Sequence, residues 1–279
     1  MFALNCKGKI IDTKIPLVMG IINVTPDSFY QQNLPKGIDG ILTLAEKMIA
    51  DGADILDIGG QSTRPNSEKV LAEKELDRVI PIIEKISTHF PNTILSVDTY
   101  YSQVAIAAVQ VGASIVNDIS GGQLDNAMIP TVGKMNNVPY VCMHTKGTPQ
   151  TMQTLANYDN IVEEITNYFV AKITECTVAG INDIIIDPGF GFAKNTNQNF
   201  ELLKNLLKLT ALKKTMLVGL SRKSMVYKTL GITAADALNG TTVLHTLALQ
   251  NGANILRVHD VKEAREIVKL MDKIKYNDA

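Results

Sequence analysis

Eight times along this chain a β-branched apolar run stops on a polar residue: Asn23, Asp57, Asp98, Asn117, His144, Asp187, Ser221 and Arg257. Such runs read as strands buried on both faces, and the long segments between them carry helical periodicity. Eight alternating strand–helix units predict an α/β fold closed into one (β/α)8 TIM barrel. In that architecture the C-terminal strand ends and the loops after them form a single mouth, where the active sites of the fold lie. Carboxylates, amides and cations around one mouth predict a small, highly polar ligand.

Strands are expected over 17–23, 55–59, 94–98, 115–119, 139–143, 184–187, 216–220 and 254–258. Helices are expected near 38–51, 69–89, 101–111, 125–135, 158–179, 197–213, 234–250 and 261–274. An internal repeat supports the pattern: Gly52-Ala53-Asp54-Ile55, Gly112-Ala113-Ser114-Ile115 and Gly252-Ala253-Asn254-Ile255 each close a helix and open a strand. Residues 2–12 read as a short N-terminal hairpin able to plug the barrel floor. The barrel uses up residues 1–279, so a single domain is expected, with no segment left over for a second.

Lys plus Arg is 27 against 28 for Asp plus Glu, a balance that steers the chain toward neither nucleic acid nor an anionic membrane. No apolar run reaches the length of a membrane span, and no leader is read at the start. Three scattered cysteines, Cys6, Cys142 and Cys176, suit neither a disulfide framework nor a zinc ribbon. A cytoplasmic protein is the expectation.

Two strand-to-helix connections exceed what a barrel needs. One runs from Val24 to about Gly37; the other runs from Gly59 to about Ser67 and carries Gln61, Thr63, Arg64 and Pro65. Long loops at a barrel mouth commonly act as lids that exclude water. Asp57, Asp98, Asn117 and Asp187 at strand ends suit a ligand with several N–H donors along one edge, such as an aminopyrimidinone, and equally suit a hard cation. Ser221-Arg222-Lys223-Ser224 falls after the seventh barrel strand, where a carboxylate or phosphate is expected. Arg257-Val258-His259 places two polar side chains on one face of the last strand, and Arg64 from the second loop can close on the same group. A diphosphate fits that set of cations. Met143 and Phe192 are candidate walls for a flat ring. His144 and Asp118 are weaker candidates for the site, and His89 and His245 read as structural.

At these residues the chain resembles the dihydropteroate synthases. Met19-Gly20-Ile21-Ile22-Asn23-Val24-Thr25-Pro26-Asp27-Ser28-Phe29 is similar to the first signature of that family, and Asp57-Ile58-Gly59-Gly60-Gln61-Ser62-Thr63-Arg64-Pro65 to the second. Ser96-Val97-Asp98-Thr99, Asn117 to Gly122, Asp187 to Phe192, Gly219 to Ser224 and Arg257 to Asp260 match the remaining blocks in order. The resemblance covers essentially the whole chain and implies a pterin-binding TIM barrel that forms a homodimer.

It also implies a reaction. 4-Aminobenzoate displaces diphosphate from the methylene of (7,8-dihydropterin-6-yl)methyl diphosphate, giving 7,8-dihydropteroate for folate synthesis. Carried over by position, Asp98, Asn117, Asp187 and Lys223 hold the pterin, with Asp187, Lys223 and Asp98 as the catalytic set. Arg64, Arg257 and His259 meet the diphosphate, and Asn23 binds the Mg2+ that accompanies it. Thr63, Pro65, Phe192 and Ser221 shape the 4-aminobenzoate pocket, where sulfonamides would compete. Departure of diphosphate before attack by the amine is the expected order, since the electron-rich pterin can carry positive charge at the methylene.

The chain departs from the family's pattern in three places. Gln31 stands where the family carries a loop aspartate, Ala193 where glycine is usual, and Gln61 where Glu is frequent. Two other readings are weighed: a methyltetrahydrofolate-dependent methyltransferase barrel, and a non-catalytic pterin-binding paralogue. The first would need no diphosphate site, so Arg64, Lys223, Arg257 and His259 speak against it.

Overall fold

The computed structural model describes residues 3–25, 37–62 and 67–276. Eight parallel strands close into a barrel: β3 (Leu17–Asn23), β4 (Ile55–Gly59), β5 (Ile94–Asp98), β6 (Ile115–Asp118), β7 (Tyr140–Met143), β8 (Ile184–Asp187), β9 (Thr215–Val218) and β10 (Ile255–Val258), with β10 pairing back onto β3. The helices between them are α1 (Ile38–Ala50), α2 (Ala72–His89), α3 (Ser102–Gln110), α4 (Met128–Gly133), α5 (Ile161–Val178), α6 (Thr196–Lys204), α7 (Ser224–Leu230), α8 (Leu238–Gln250) and α9 (Val261–Tyr276). The expected (β/α)8 barrel is the observed fold.

Strand alternation divides the core in two. Val18, Ile22, Leu56, Ile58, Leu95, Val97, Val116, Ile186, Val218 and Leu256 point outward into the layer between barrel and helices. Leu17, Met19, Ile55, Ile94, Ile115, Val141, Ile185, Leu217 and Ile255 point inward and fill the lower barrel. Most of the next inward positions toward the C-terminal ends are polar, namely Asp57, Ser96, Asp98, Asn117, Asp187 and Arg257, with Ile21 and Met143 apolar at the same level. A period of two therefore turns apolar strands into an apolar floor beneath a polar mouth.

The floor is sealed from below by an antiparallel hairpin, β1 (Ala3–Cys6) and β2 (Lys9–Asp12). Leu4 and Cys6 join the inner apolar cluster, as the N-terminal pattern predicts. The Asn5 N–H donates to Asp183 Oδ2 at 2.9 Å, tying the plug to the residue before β8.

Two local expectations are corrected. The single helix expected over 197–213 breaks at Asn205, whose side-chain amide bonds back to the Glu201 carbonyl, and continues as a 3-10 turn, Leu206–Leu212. An asparagine side chain competes with the helical ladder in this way. Residues 224–230 form the unexpected α7, a seven-residue helix ended by Gly231 at φ 67. Too short to show periodicity, it is marked in the sequence only by that C-terminal glycine. Ser221 lies in the loop beyond β9, where it is expected, although the strand itself ends at Val218 and not at residue 220.

Candidate active site

Arg257 is the central cation of the mouth. Its Nε lies 2.6 Å from Asp57 Oδ2, and its Nη2 lies 2.6 Å from Asp98 Oδ2. Asn117 Nδ2 donates to the same Asp57 oxygen at 3.0 Å. Asp98 and Asn117 are register partners on β5 and β6, so both present their polar ends at one height. Burial pushes the Asp98 carboxyl up to about 7, against the pull of Arg257. The two carboxylates in turn raise Arg257, which stays a cation.

Asp57 is fully buried, and its Oδ1 has no hydrogen-bond partner among the described residues; the same holds for Ser96 Oγ, its register partner on β5. Two buried polar atoms side by side give the floor of the mouth unspent hydrogen-bonding capacity, a feature natural interiors keep rare. Asp57 is the residue most undervalued by the sequence reading. It ends an apolar run like the others, but only the fold shows that it is the second counter-ion of Arg257.

Across the mouth, Asp187 accepts a hydrogen bond from the Gly189 N–H at 2.8 Å. Burial raises its pKa, while Lys223, that N–H, Arg257 and Lys194 lower it. Lys223 occupies the N-cap position of α7 and donates to the Phe190 carbonyl, with Nζ 4.7 Å from the centre of the Phe192 ring. Desolvation pulls Lys223 down to about 8, with Asp187 opposing. Met143, in register with Asp187, clusters with Tyr100 and Ile119, and Phe192 packs against them. A cationic and anionic rim beside an apolar wall can hold a flat polar heterocycle.

His259 follows the last strand. Its backbone N–H donates to Ser221 Oγ at 3.2 Å, and its Nδ1 lies 3.0 Å from the same oxygen. A hydroxyl that accepts from the backbone has its own proton left for Nδ1, which favours the ring proton on Nε2. Neighbouring Arg222, at φ 54, grips Asp260 at 2.9 and 2.8 Å and the Ala235 carbonyl. That clamp locks the loop after β9 to the loop after β10, so Ser221 and His259 are held together.

Asn23 is the exposed last residue of β3, paired in register with Gly59. Thr63, Arg64 and Pro65 lie outside the described residues, as does Gln31. Asp118 is a loop cap: its carboxylate accepts from Ser120, Gly122 and Tyr140 and is fully buried. His144 is buried at the end of β7, where desolvation and two lysines keep it neutral.

Gln61 supports the base of the second loop. Its Nε2 donates to Glu75 Oε2 at 2.5 Å, and the Tyr100 hydroxyl donates to its carbonyl oxygen at 2.9 Å. Glu75 is fully buried, and desolvation raises it to about 8. A carboxylate at position 61 would have no N–H to give Glu75, so the amide suits this buried pair.

A family model described as pterin binding enzyme matches residues 19–259. The chain is 39% identical over 268 residues to the dihydropteroate synthase of Escherichia coli (strain K12), covering 95% of this chain and 94% of that one. Among solved structures, Yersinia pestis dihydropteroate synthase in a sulfonamide drug complex is similar with a TM-score of 0.92 at 38% identity, over 98% of this chain and 99% of the other. Dihydropteroate synthase from Xanthomonas albilineans in complex with 7,8-dihydropteroate is similar with a TM-score of 0.88 at 35% identity, over 98% and 99%.

Proposed function

The chain belongs to the pterin-binding enzymes and, among them, to the dihydropteroate synthases, and from that membership we propose how its own residues carry the reaction. The activity is that transferase step of folate biosynthesis. The amine of 4-aminobenzoate forms a C–N bond to the 6-methylene of the pterin, the C–O bond to diphosphate breaks, and the amine loses a proton.

The observation that carries the assignment of roles is the Asp57–Arg257–Asp98 bridge facing Asp187 and Lys223. Asp98 and Asn117 receive and give hydrogen bonds along one edge of the pterin, and Asp187 and Lys223 hold the other. Arg257 and His259, with Arg64, take the diphosphate. Phe192 and Ser221, with Thr63 and Pro65, shape the pocket for 4-aminobenzoate, and sulfonamides compete there. Departure of diphosphate precedes attack. The buried Asp187 carboxylate stabilises the positive charge that then develops on the pterin, and a fixed anion in a low-dielectric site is worth far more than one in water.

Among the described residues no three carboxylate, imidazole or thiolate groups converge on a metal. The exposed Asn23 amide fits an ion that arrives with the diphosphate and keeps much of its water, as Mg2+ does. When bound, Mg2+ supplies charge neutralisation for the leaving diphosphate.

A homodimer is supported by apolar side chains exposed on adjacent helices, Leu230 of α7 and Val243 and Leu247 of α8; Val243→Glu would then shift the sedimentation mass to that of a monomer. Three buried, unpaired cysteines suit a reducing compartment such as the cytoplasm. The reaction is tested by mixing the pterin diphosphate, 4-aminobenzoate and Mg2+ and following 7,8-dihydropteroate: its formation supports the reading, and tight pterin binding without product would mark a non-catalytic paralogue.

A further inference from the structure

Lys194 has a role that none of the pterin, diphosphate or aminobenzoate contacts requires. It is 2% exposed, and its Nζ lies 3.0 Å from the carbonyl oxygens of Gly189 and Phe192, 3.0 Å from His144 Nδ1 and 3.4 Å from the His144 carbonyl oxygen. Gly189 is the residue whose N–H holds Asp187, and Phe192 is the apolar wall. One nitrogen therefore gathers both ends of the loop between the pterin carboxylate and that wall, and fastens them to the end of β7.

The loop has reason to need a fastener. Gly189, Gly191 and Ala193 take φ of 69, 82 and 47, so the chain passes through the left-handed region three times in five residues. Ala193 does so with a Cβ, in a conformation that L side chains disfavour. A Cβ added at Gly189 would meet the His144 carbonyl oxygen at 2.1 Å, so the loop lies directly on the strand end.

Resting on the proposed reaction, we propose that Lys194 is a positioning residue, whose ammonium clamps the Gly189–Phe192 loop onto His144 and helps hold Asp187 as an anion beside the pterin. Four acceptor atoms surround Nζ, and only the ammonium form has three N–H groups to meet them. Burial, with the Lys223 and Lys146 cations, pulls the Lys194 ammonium well below the ordinary lysine range, and Asp187 together with the four acceptors at Nζ favours the charged form against that pull. His144 is neutral, so its Nδ1 is free to accept. Facing Asp187 are Lys194 from its own loop, Lys223 from the loop after β9, Arg257 from β10 and Asp98 from β5. Removing the Lys194 charge leaves Asp187 with less cationic support, so its pKa rises further.

The test is Lys194→Gln, which keeps two N–H groups for the carbonyls and removes the charge. In the folded variant the acid limb of kcat, which reports the pterin-bound enzyme, moves to higher pH than in the parent. Below that limb kcat is then lower than in the parent at the same pH, by a factor equal to the loss in the ionised fraction. A purely structural lysine would lower the melting temperature and leave the limb in place; a folded variant with the parent limb overturns the proposal. In parallel, the parent protein labelled with 15N-lysine is expected to show a slowly exchanging Lys194 ammonium at neutral pH, and a neutral amine there overturns the proposal even where the variant does not fold. Failure of the parent to make dihydropteroate would instead overturn the reaction itself.

Discussion

Arg257 Nη2 lies 2.6 Å from Asp98 Oδ2, so the cation assigned to the diphosphate is bound, before substrate arrives, to a carboxylate assigned to the pterin. Its Nε meets Asp57 at the same distance. The guanidinium thereby orders both carboxylates and couples the two halves of one substrate. A lysine is a point charge and cannot reach two carboxylates with a rigid fork. Arg257→Lys is expected to lower kcat/KM for the pterin diphosphate by about 30-fold, the low end of the 2–5 kcal/mol typical for breaking a buried hydrogen-bonded charge pair. Steady-state kinetics check it; a loss of less than threefold would contradict the bridge's importance.

The pH profile of kcat/KM for the pterin diphosphate is expected to be a narrow bell. Asp98, raised by burial to about 7, must ionise to accept the pterin's N–H groups, which sets the rising limb. Lys223, lowered by burial to about 8, must keep its proton, which sets the falling limb. The free enzyme's groups govern this ratio. Asp98→Asn is expected to lose activity and with it the rising limb in whatever rate remains.

Asp187→Asn keeps the shape and removes the charge. Pterin diphosphate binding, followed by calorimetry, is expected to change by less than about tenfold, while kcat falls by roughly 100-fold, the scale seen when one preorganised electrostatic contact to a transition state is removed. Parent-like turnover in this variant would show that the Asp187 charge does not stabilise the developing cation.

Glu75 makes the fold itself sensitive to alkali. Its carboxyl rises from an ordinary 4.5 to about 8 in the folded chain. At low pH both folded and unfolded chains hold the proton. As the pH climbs from about 4.5 toward 8 the unfolded chain ionises first, so stability falls across that window and stays lowered above it. Glu75→Gln has no such loss and is expected to be more stable than the parent at alkaline pH by about 2 kcal/mol or more, and close to it in acid. Urea unfolding of both proteins near pH 5 and pH 9 reads the difference.

The barrel was legible because its strands are long apolar runs with hard polar ends. Leu17–Asn23, Ile55–Gly59, Ile94–Asp98 and Ile184–Asp187 fall where the runs predict them. Helix α7 was not, since seven residues contain too few turns to show a period. At the site, the residue types around the mouth were readable, but their pairings were not. That Arg257 spans β4 and β5, that Arg222 is spent on Asp260, and that Lys194 turns inward all depend on contacts between residues far apart in sequence. A lone lysine after a glycine-rich loop carries no periodic signal, and only burial distinguishes it from a surface charge.

The central claim is that these residues condense two small molecules with loss of diphosphate. The most direct measurement is simultaneous quantification of diphosphate and 7,8-dihydropteroate from the pterin diphosphate and Mg2+, with and without 4-aminobenzoate. The account predicts equimolar product and diphosphate when both substrates are present, lost on chelating the metal. Diphosphate released with 4-aminobenzoate present but no dihydropteroate formed, or no turnover despite pterin binding, would contradict it.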